Sequence, residues 1–223
     1  MTEPKTGLTL YGPAYSAYTR IVRLVLVQKG VDYLFEEVDF VSEGMPAAQF
    51  DRHPFGKVPV LEHGGVCLRE TWPICLYLDE VFPAPSLLPP DPAKKAAVLG
   101  LISCLDNYVW ADIAELGTQK IFAPLVKGWP DDKIVERSVK RLTEALGRFD
   151  TLIAADGYLG GDQLTLADLH GMVMIAYLTD CGVEGVSVLE TAPRLHRWWQ
   201  KMKDHPGLAE TAFDLGAYPW AAR

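Results

Sequence analysis

The sequence predicts a small mixed α/β domain followed by a larger all-helical bundle, and three observations carry that expectation. Residues 8–82 alternate short apolar runs with amphipathic stretches. Residues 93–215 show helical periodicity almost throughout. The texture changes once, at Phe82-Pro83-Ala84-Pro85-Ser86-Leu87-Leu88-Pro89-Pro90. So many prolines suit neither a helix interior nor a central strand, so residues 83–92 are predicted to link a domain at 1–82 to one at 93–223.

Leu8-Thr9-Leu10-Tyr11 reads as the first strand and residues 16–30 as the first helix, with Gly30 as its stop signal. A second strand is predicted at 33–38 and a short helix or turn at 46–52. Strands at 58–61 and 66–68 are joined by a Gly64-Gly65 turn, and a helix follows at 71–81. The order is βαβαββα. A βαβ crossover needs parallel strands and a tight hairpin antiparallel ones, so the expectation is a mixed four-stranded sheet flanked by helices. In the second half, Val98, Ile102, Leu105, Val109, Ile113 and Leu116 step by three and four, as do Val135, Val139, Leu142, Leu146, Phe149 and Ile153. Residues 166–178 are apolar on nearly every face, which suits a buried central helix. Thr165 and Asp168 form a capping-box pattern at its start, with Leu164 able to staple to Leu169. A further helix is expected after Pro193, through Leu195, Trp198, Trp199 and Met202.

At 223 residues, 49% hydrophobic and 22% charged, the chain has the composition of one that buries a core. Its 21 Lys and Arg against 29 Asp and Glu give −8, and no block of like charge offers a basic footprint, so nucleic acid is not an expected partner. An anionic small ligand stays open, because local backbone amides can oppose the global charge. The N-terminus lacks the regions of a secretory signal, and no apolar stretch approaches the ~18 residues that span a bilayer, so a cytoplasmic protein without a membrane partner is expected. Cys67, Cys75, Cys104 and Cys181 form no C-x-x-C pair and no ligand cluster, so they read as reduced thiols and no metal is expected.

The most informative stretch is His53-Pro54-Phe55-Gly56-Lys57-Val58-Pro59-Val60-Leu61, followed by Leu68-Arg69-Glu70-Thr71-Trp72-Pro73-Ile74. A proline heading a strand lacks a ladder donor, which suits a first residue or an edge, and a tight approach there can use a cis Val58-Pro59 bond. The stretch is either a plain edge strand or one in which Val58 offers its N–H and C=O to an extended peptide. Glu70-Thr71 opens a helix whose free N–H groups favour a carboxylate, with Thr71 placed as N-cap and ligand donor. Taken with the element order, the site suits a small peptide with a carboxylate at one end.

The pattern N-P-F-G-K-V-P-x-L with E-S-x-A-I downstream is characteristic of glutathione transferases, and H-P-F-G-K-V-P-V-L with E-T-W-P-I is a close version. The chain resembles that family over roughly residues 8–215, and within it the serine-type, phi/theta-like bacterial branch. The resemblance implies a thioredoxin-like N-terminal domain, glutathione as co-substrate and addition of its thiolate to an apolar electrophile. It implies that Val58, beside Pro59, pairs with the cysteinyl backbone of glutathione. Glu70 and Thr71 would hold the γ-glutamyl end, Thr71 standing where serine is usual. Relatives place basic residues for the glycine carboxylate in a loop that here reads Ser42-Glu43-Gly44-Met45. Lys57 is then the best remaining cation and His53 the second, with a merely solvated Lys57 as the plain alternative.

Tyr11-Gly12-Pro13-Ala14-Tyr15-Ser16-Ala17-Tyr18-Thr19-Arg20 resembles the serine-type signature, in which the serine precedes T-R by two residues at the helix start. Ser16 fits that register, and the resemblance implies that its hydroxyl donates to the glutathione sulfur and favours thiolate. A plain N-cap is the alternative for Ser16, and Tyr11 and Tyr15 are rivals for its role. The absence of cysteine between residues 8 and 20 argues against thiol-disulfide chemistry. The electrophile would meet the sulfur in a cleft between domains, with Tyr15, Tyr108 and Trp110 as substrate-binding candidates and Phe122, Tyr218 and Trp220 as further walls, although aromatics at helical spacing also serve as core. The resemblance also implies a homodimer, with Asp106 able to reach the γ-glutamyl amine of the neighbouring site. Two alternatives stay open: a glutathione-dependent isomerase or dehalogenase, and a non-catalytic subunit of the same fold.

Overall fold

The computed structural model describes residues 6–42, 44–125, 128–182 and 188–221. They form two compact units, one made of the chain up to Ser86 together with the segment from Pro206, the other of Leu87–His205.

The first unit is built on β1 (Leu8–Tyr11), β2 (Leu34–Glu36), β3 (Val60–His63) and β4 (Val66–Arg69), in the spatial order β2-β1-β3-β4. β1 and β2 are parallel, whereas β3 runs antiparallel to both β1 and β4, which is the mixed four-stranded sheet expected. β3 begins two residues later than predicted, because Pro59 has no N–H to give the ladder. Helix α1 (Ala17–Lys29) starts at Ser16, whose hydroxyl accepts the Thr19 N–H. It stops at Gly30, whose φ of 62° costs no Cβ clash. Between the strands lie α2 (Ala47–Arg52) and, after β4, α3 (Thr71–Val81). Lys29, at the C-terminal end of α1, is buried. Its ammonium sits 2.7 Å from Asp79 of α3 and donates to the carbonyls of Phe82 at 2.7 Å and Pro85 at 2.9 Å, so all three of its protons are placed.

The helical domain was expected to run to the C-terminus. Residues from Pro206 instead pack with the first unit. Helix α1 carries two arginines needing acceptors: Arg20, only 6% exposed, donates to Leu208 O at 3.0 Å and Thr211 Oγ1 at 3.3 Å, and Arg23 donates to Thr211 O at 3.2 Å. The helix that supplies these groups, Pro206–Glu210, is too short for periodicity to reveal its partner.

The second unit opens with a continuous helical run, Pro92–Leu125, in which α4 (Pro92–Cys104), α5 (Trp110–Gly117) and α6 (Ala123–Leu125) are separated by π-helical turns at Leu105–Val109 and Thr118–Phe122. This run is long and apolar enough, by length and composition, to cross a bilayer, which corrects the expectation that no stretch approached that length. A core helix meets the same two criteria. Here Val98, Ile102, Leu105, Val109, Ile113 and Leu116 are buried. The run packs against α7 (Asp132–Asp150) and α8 (Leu166–Asp180), and α9 (Pro193–Met202) completes the bundle. Every residue from Leu166 to Leu178 is buried, as the all-round apolar pattern requires. The α8 cap is built on Asp168: Oδ2 accepts the Thr165 N–H and hydroxyl at 2.8 Å each, and Oδ1 accepts Leu159 N–H at 2.7 Å and Trp198 Nε1–H at 2.8 Å.

Candidate functional site

Strand register gathers most of the expected site residues at one end of the sheet. Tyr11, the last residue of β1, lies opposite Val60 of β3, and Val60 lies opposite Arg69, the last residue of β4. The turn leaving β1 (12–16), the segment entering β3 (58–59) and the turn leaving β4 (70–71) are therefore neighbours.

The turn that carries Ser16 is tightly held. Gly12 N–H donates to Glu36 O at 3.1 Å, extending the β1–β2 pairing, and Ser16 N–H donates to Pro13 O at 3.1 Å. Both carboxylate oxygens of Glu37 accept the Ala14 N–H, at 3.1 and 3.3 Å. Gly12, at φ 155°, is required here, since a Cβ would fall 2.4 Å from Thr19 Oγ1. Ser16 Oγ accepts Thr19 N–H at 3.3 Å, the N-cap bond. Among the described residues nothing accepts the hydroxyl's own proton, so it can be donated outward.

The two rivals are differently placed. Tyr11 donates its hydroxyl to Glu62 Oε2 at 3.0 Å, beneath the Arg52 guanidinium 3.8 Å from its ring centre. Burial first, then Glu62, pushes its phenol above the ordinary value. Tyr15 is 6% exposed, its ring packed edge-on against Phe40, Tyr218 and Trp220. Burial, with Asp39 and Glu37 adding repulsion, drives its phenol still higher. Neither is placed like Ser16 to offer a donor at a helix start.

The Val58–Pro59 bond is cis. The segment before it is anchored by Gln49, a fully buried residue of α2 whose amide donates to Lys57 O at 2.6 Å. The Lys57 side chain is exposed. His53, the second candidate for a carboxylate ligand, is instead 3% exposed. Its Nδ1 accepts Phe55 N–H at 3.2 Å and its Nε2 faces Glu70 Oε1 at 3.4 Å. The N-cap of α3 is Glu70, with φ 68° and ψ 134°, whereas Thr71 was expected there; Thr71 is the first helical residue and is buried. The unusual Glu70 backbone turns the chain from β4 directly into α3, so that the cap falls one residue before the one expected. It leaves the Glu70 carboxylate 71% exposed.

Of the substrate-wall candidates, Tyr15, Tyr218 and Trp220 pack together within the first unit, whereas Tyr108 and Trp110 of the second unit face different ways. Tyr108 is 69% exposed at a groove of about 460 Å³ lined by α7 residues such as Arg141 and Phe149. Trp110, two residues on and so on the other side of the helix, packs on Tyr177 of α8. Asp106 lies 3.0 Å from His170 Nε2, and Trp220 is 5% exposed. Glu43 of the β2–α2 loop is outside the described residues; Asp39 accepts from Val41 N–H, Ser42 N–H and the Ser42 hydroxyl. Among the described residues no cluster of His, Cys, Asp and Glu is arranged to hold a metal. Sequence reasoning missed Gln49 and Glu37. A buried glutamine beside a P-F-G turn offers some signal; a lone glutamate after a strand offers none.

Residues 10–86 match the family model for the glutathione S-transferase N-terminal domain, and residues 110–206 match that for the glutathione S-transferase C-terminal domain. A glutathione S-transferase F14 of Arabidopsis thaliana is 31% identical over 190 residues, covering 82% of this chain and 74% of its own length. A glutathione S-transferase of Pseudomonas putida is 31% identical over 216 residues, covering 94% and 93%. Among solved structures, a glutathione S-transferase I bound with lactoylglutathione superposes with a TM-score of 0.82 at 27% identity, over 92% of this chain and 98% of the other. Glutathione S-transferase I from maize in complex with an atrazine glutathione conjugate gives 0.80 at 26% identity, over 92% and 96%. The chain belongs to the glutathione S-transferase family.

Proposed function

We propose that this protein conjugates glutathione, with Ser16 as the group that stabilises the thiolate. The observation that carries the assignment is the Ser16 hydroxyl: it caps α1 with its oxygen, and no described residue accepts its proton. Its neighbours across the sheet end supply the rest. Val58, beside Pro59, offers backbone to the cysteinyl residue. The exposed Glu70 carboxylate offers a counter-charge to the γ-glutamyl amine, with Thr71 beside it, and Lys57 is a cation for the glycine end. Moving a thiol from pKa ~8.5 to ~6.5 takes about 2.7 kcal/mol of differential stabilisation. A charge-assisted hydrogen bond of ~1.5–3 kcal/mol and the end of helix α1 together reach that figure.

The thiolate then attacks an apolar electrophile, forming a C–S bond while a leaving group departs or the adjacent carbon takes a proton. The same reading takes in a cytoplasmic homodimer that detoxifies such compounds, supported by the family membership and the motif match; light scattering tests the dimer. For Ser16→Ala, conjugation of a chloronitrobenzene should fall about 10- to 100-fold in kcat/KM, the rate equivalent of the ~1.5–3 kcal/mol carried by the hydroxyl's hydrogen bond. The bound thiol should return toward ~8.5. An unchanged rate and thiol titration would remove Ser16 from the mechanism.

A further inference from the structure

The two residues that precede Ser16 are both tied to the C-terminal segment, Tyr15 directly and Ala14 through Glu37. Ala14 N–H is clamped by Glu37, and the Glu37 Oε1 that accepts it also accepts the Tyr218 hydroxyl at 2.8 Å. The Tyr15 ring lies 5.1 Å from that of Tyr218 and 5.7 Å from that of Trp220, while Tyr218 and Trp220 stack on each other at 5.4 Å. The segment is moored again at Arg20, four residues past Ser16, through Leu208 and Thr211. All these residues belong to the first compact unit.

We propose that Glu37 and Tyr218 form a latch that sets the geometry of the thiol-activating turn, making both of them positioning residues for the glutathione reaction. The inference rests on the Ser16 reading. The physics favours position over charge as the means. A carboxylate near a forming thiolate repels it and raises the thiol pKa, so a Glu37 acting through its charge would oppose the chemistry. What Glu37 supplies is a fixed acceptor: two oxygens on one N–H define where Ala14 sits, and the shared Tyr218 hydroxyl fixes the carboxylate itself. A hydroxyl displaced by even ~1 Å from its sulfur loses much of a directional hydrogen bond.

The test compares Glu37→Ala, Glu37→Gln and Tyr218→Phe in the full chain, reading the pH profile of kcat/KM, KM for glutathione and hydrogen exchange at the Ala14 amide. Glu37→Ala should raise the apparent thiol pKa by about one pH unit, a tenfold loss below it, with KM for glutathione nearly constant and Ala14 exchange accelerated. Tyr218→Phe, which changes no charge and removes only the hydroxyl, should shift the profile the same way by less. Glu37→Gln keeps one carbonyl acceptor and should recover part of the effect. A downward pKa shift in both Glu37 variants would mean that Glu37 acts by charge and would overturn the latch. So would an unchanged Ala14 exchange rate in Glu37→Ala. If Ser16→Ala left the thiol pKa unmoved while Ala14 exchange still responded to Glu37→Ala, the Ser16 reading would fail and the structural latch would stand.

Discussion

His53 Nε2 lies 3.4 Å from Glu70 Oε1, with the imidazole buried and the carboxylate open to solvent. Because Nδ1 of the same ring accepts the Phe55 N–H, the ring proton is on Nε2 and points at Glu70. His53 thus braces a carboxylate whose backbone already sits at φ 68°, a conformation that costs about 1–3 kcal/mol and persists only where surroundings over-determine it.

If Glu70 holds the γ-glutamyl amine, then Glu70→Gln should raise KM for glutathione by roughly 10- to 100-fold, the range of a lost charge-assisted bond. His53→Ala should raise it less, about 3- to 10-fold, with kcat changed by under about twofold, because it loosens Glu70 without removing its charge. Steady-state kinetics with glutathione varied makes the comparison. A His53→Ala effect confined to kcat would break the link between the two residues.

The buried Lys29 should matter to stability and not to chemistry. Replacing it with Met leaves the Asp79 carboxylate without its ammonium and two carbonyls without a donor. Removing one partner of such a pair costs about 3–5 kcal/mol. Urea unfolding at neutral pH should show that loss, with activity of the remaining folded protein preserved. A cost under about 1 kcal/mol would mean that the methionine packs as well as the ion pair.

How much of this was legible in the sequence depends on how far apart the partners are. The α8 cap was readable because Thr165 and Asp168 are three residues apart, and the sheet because Pro59, the Gly64-Gly65 turn and Gly30 punctuate it locally. The Ser16 turn and the Glu70-Thr71 corner carry short motifs, but the one-residue shift that makes Glu70 the cap comes from its backbone dihedral, which no side-chain pattern encodes. Glu37 was invisible: its partner Tyr218 is 181 residues away, on a segment whose helix, Pro206–Glu210, is too short to show a period. Tyr108 and Trp110 are both candidates for the substrate site by sequence, with a core role as the alternative, and two residues of helix turn them to opposite sides.

Three phenols give a pH signature. Burial is the largest cause in each of Tyr11, Tyr15 and Tyr218, with Glu62 adding at Tyr11, Asp39 and Glu37 at Tyr15, and a Glu37 hydrogen bond at Tyr218; all three are raised above 10.0. A folded value above the unfolded one means that the native state keeps protons the unfolded chain releases. The stabilisation is complete below pH ~10 and is lost as pH rises beyond it. In an absorbance titration of the nine tyrosines these three should ionise late, with Tyr15 and Tyr218 appearing only with the loss of near-ultraviolet circular dichroism. Nine phenols titrating together near pH 10 in a still-native protein would contradict their placement.

Asp168 gives the sharpest stability test in the helical unit. Its fully buried carboxylate receives four hydrogen bonds, two on each oxygen. Burial pushes its pKa up, the four donors pull it down, and burial wins. Because the folded value is raised, its contribution is greatest below the ordinary aspartate range and declines as pH climbs through the folded value. Asp168→Asn removes that slope but sets an NH₂ group against two donors that need an acceptor, Thr165 on one side or Leu159 and Trp198 on the other. Two buried donors left unmatched cost about 3–5 kcal/mol at neutral pH. Urea unfolding followed at pH 4.5 and pH 7.5 should therefore find the wild type more stable than Asp168→Asn at both, with the gap narrower at the higher pH. A variant as stable as the wild type would mean that the charge of Asp168 costs as much as its four bonds supply.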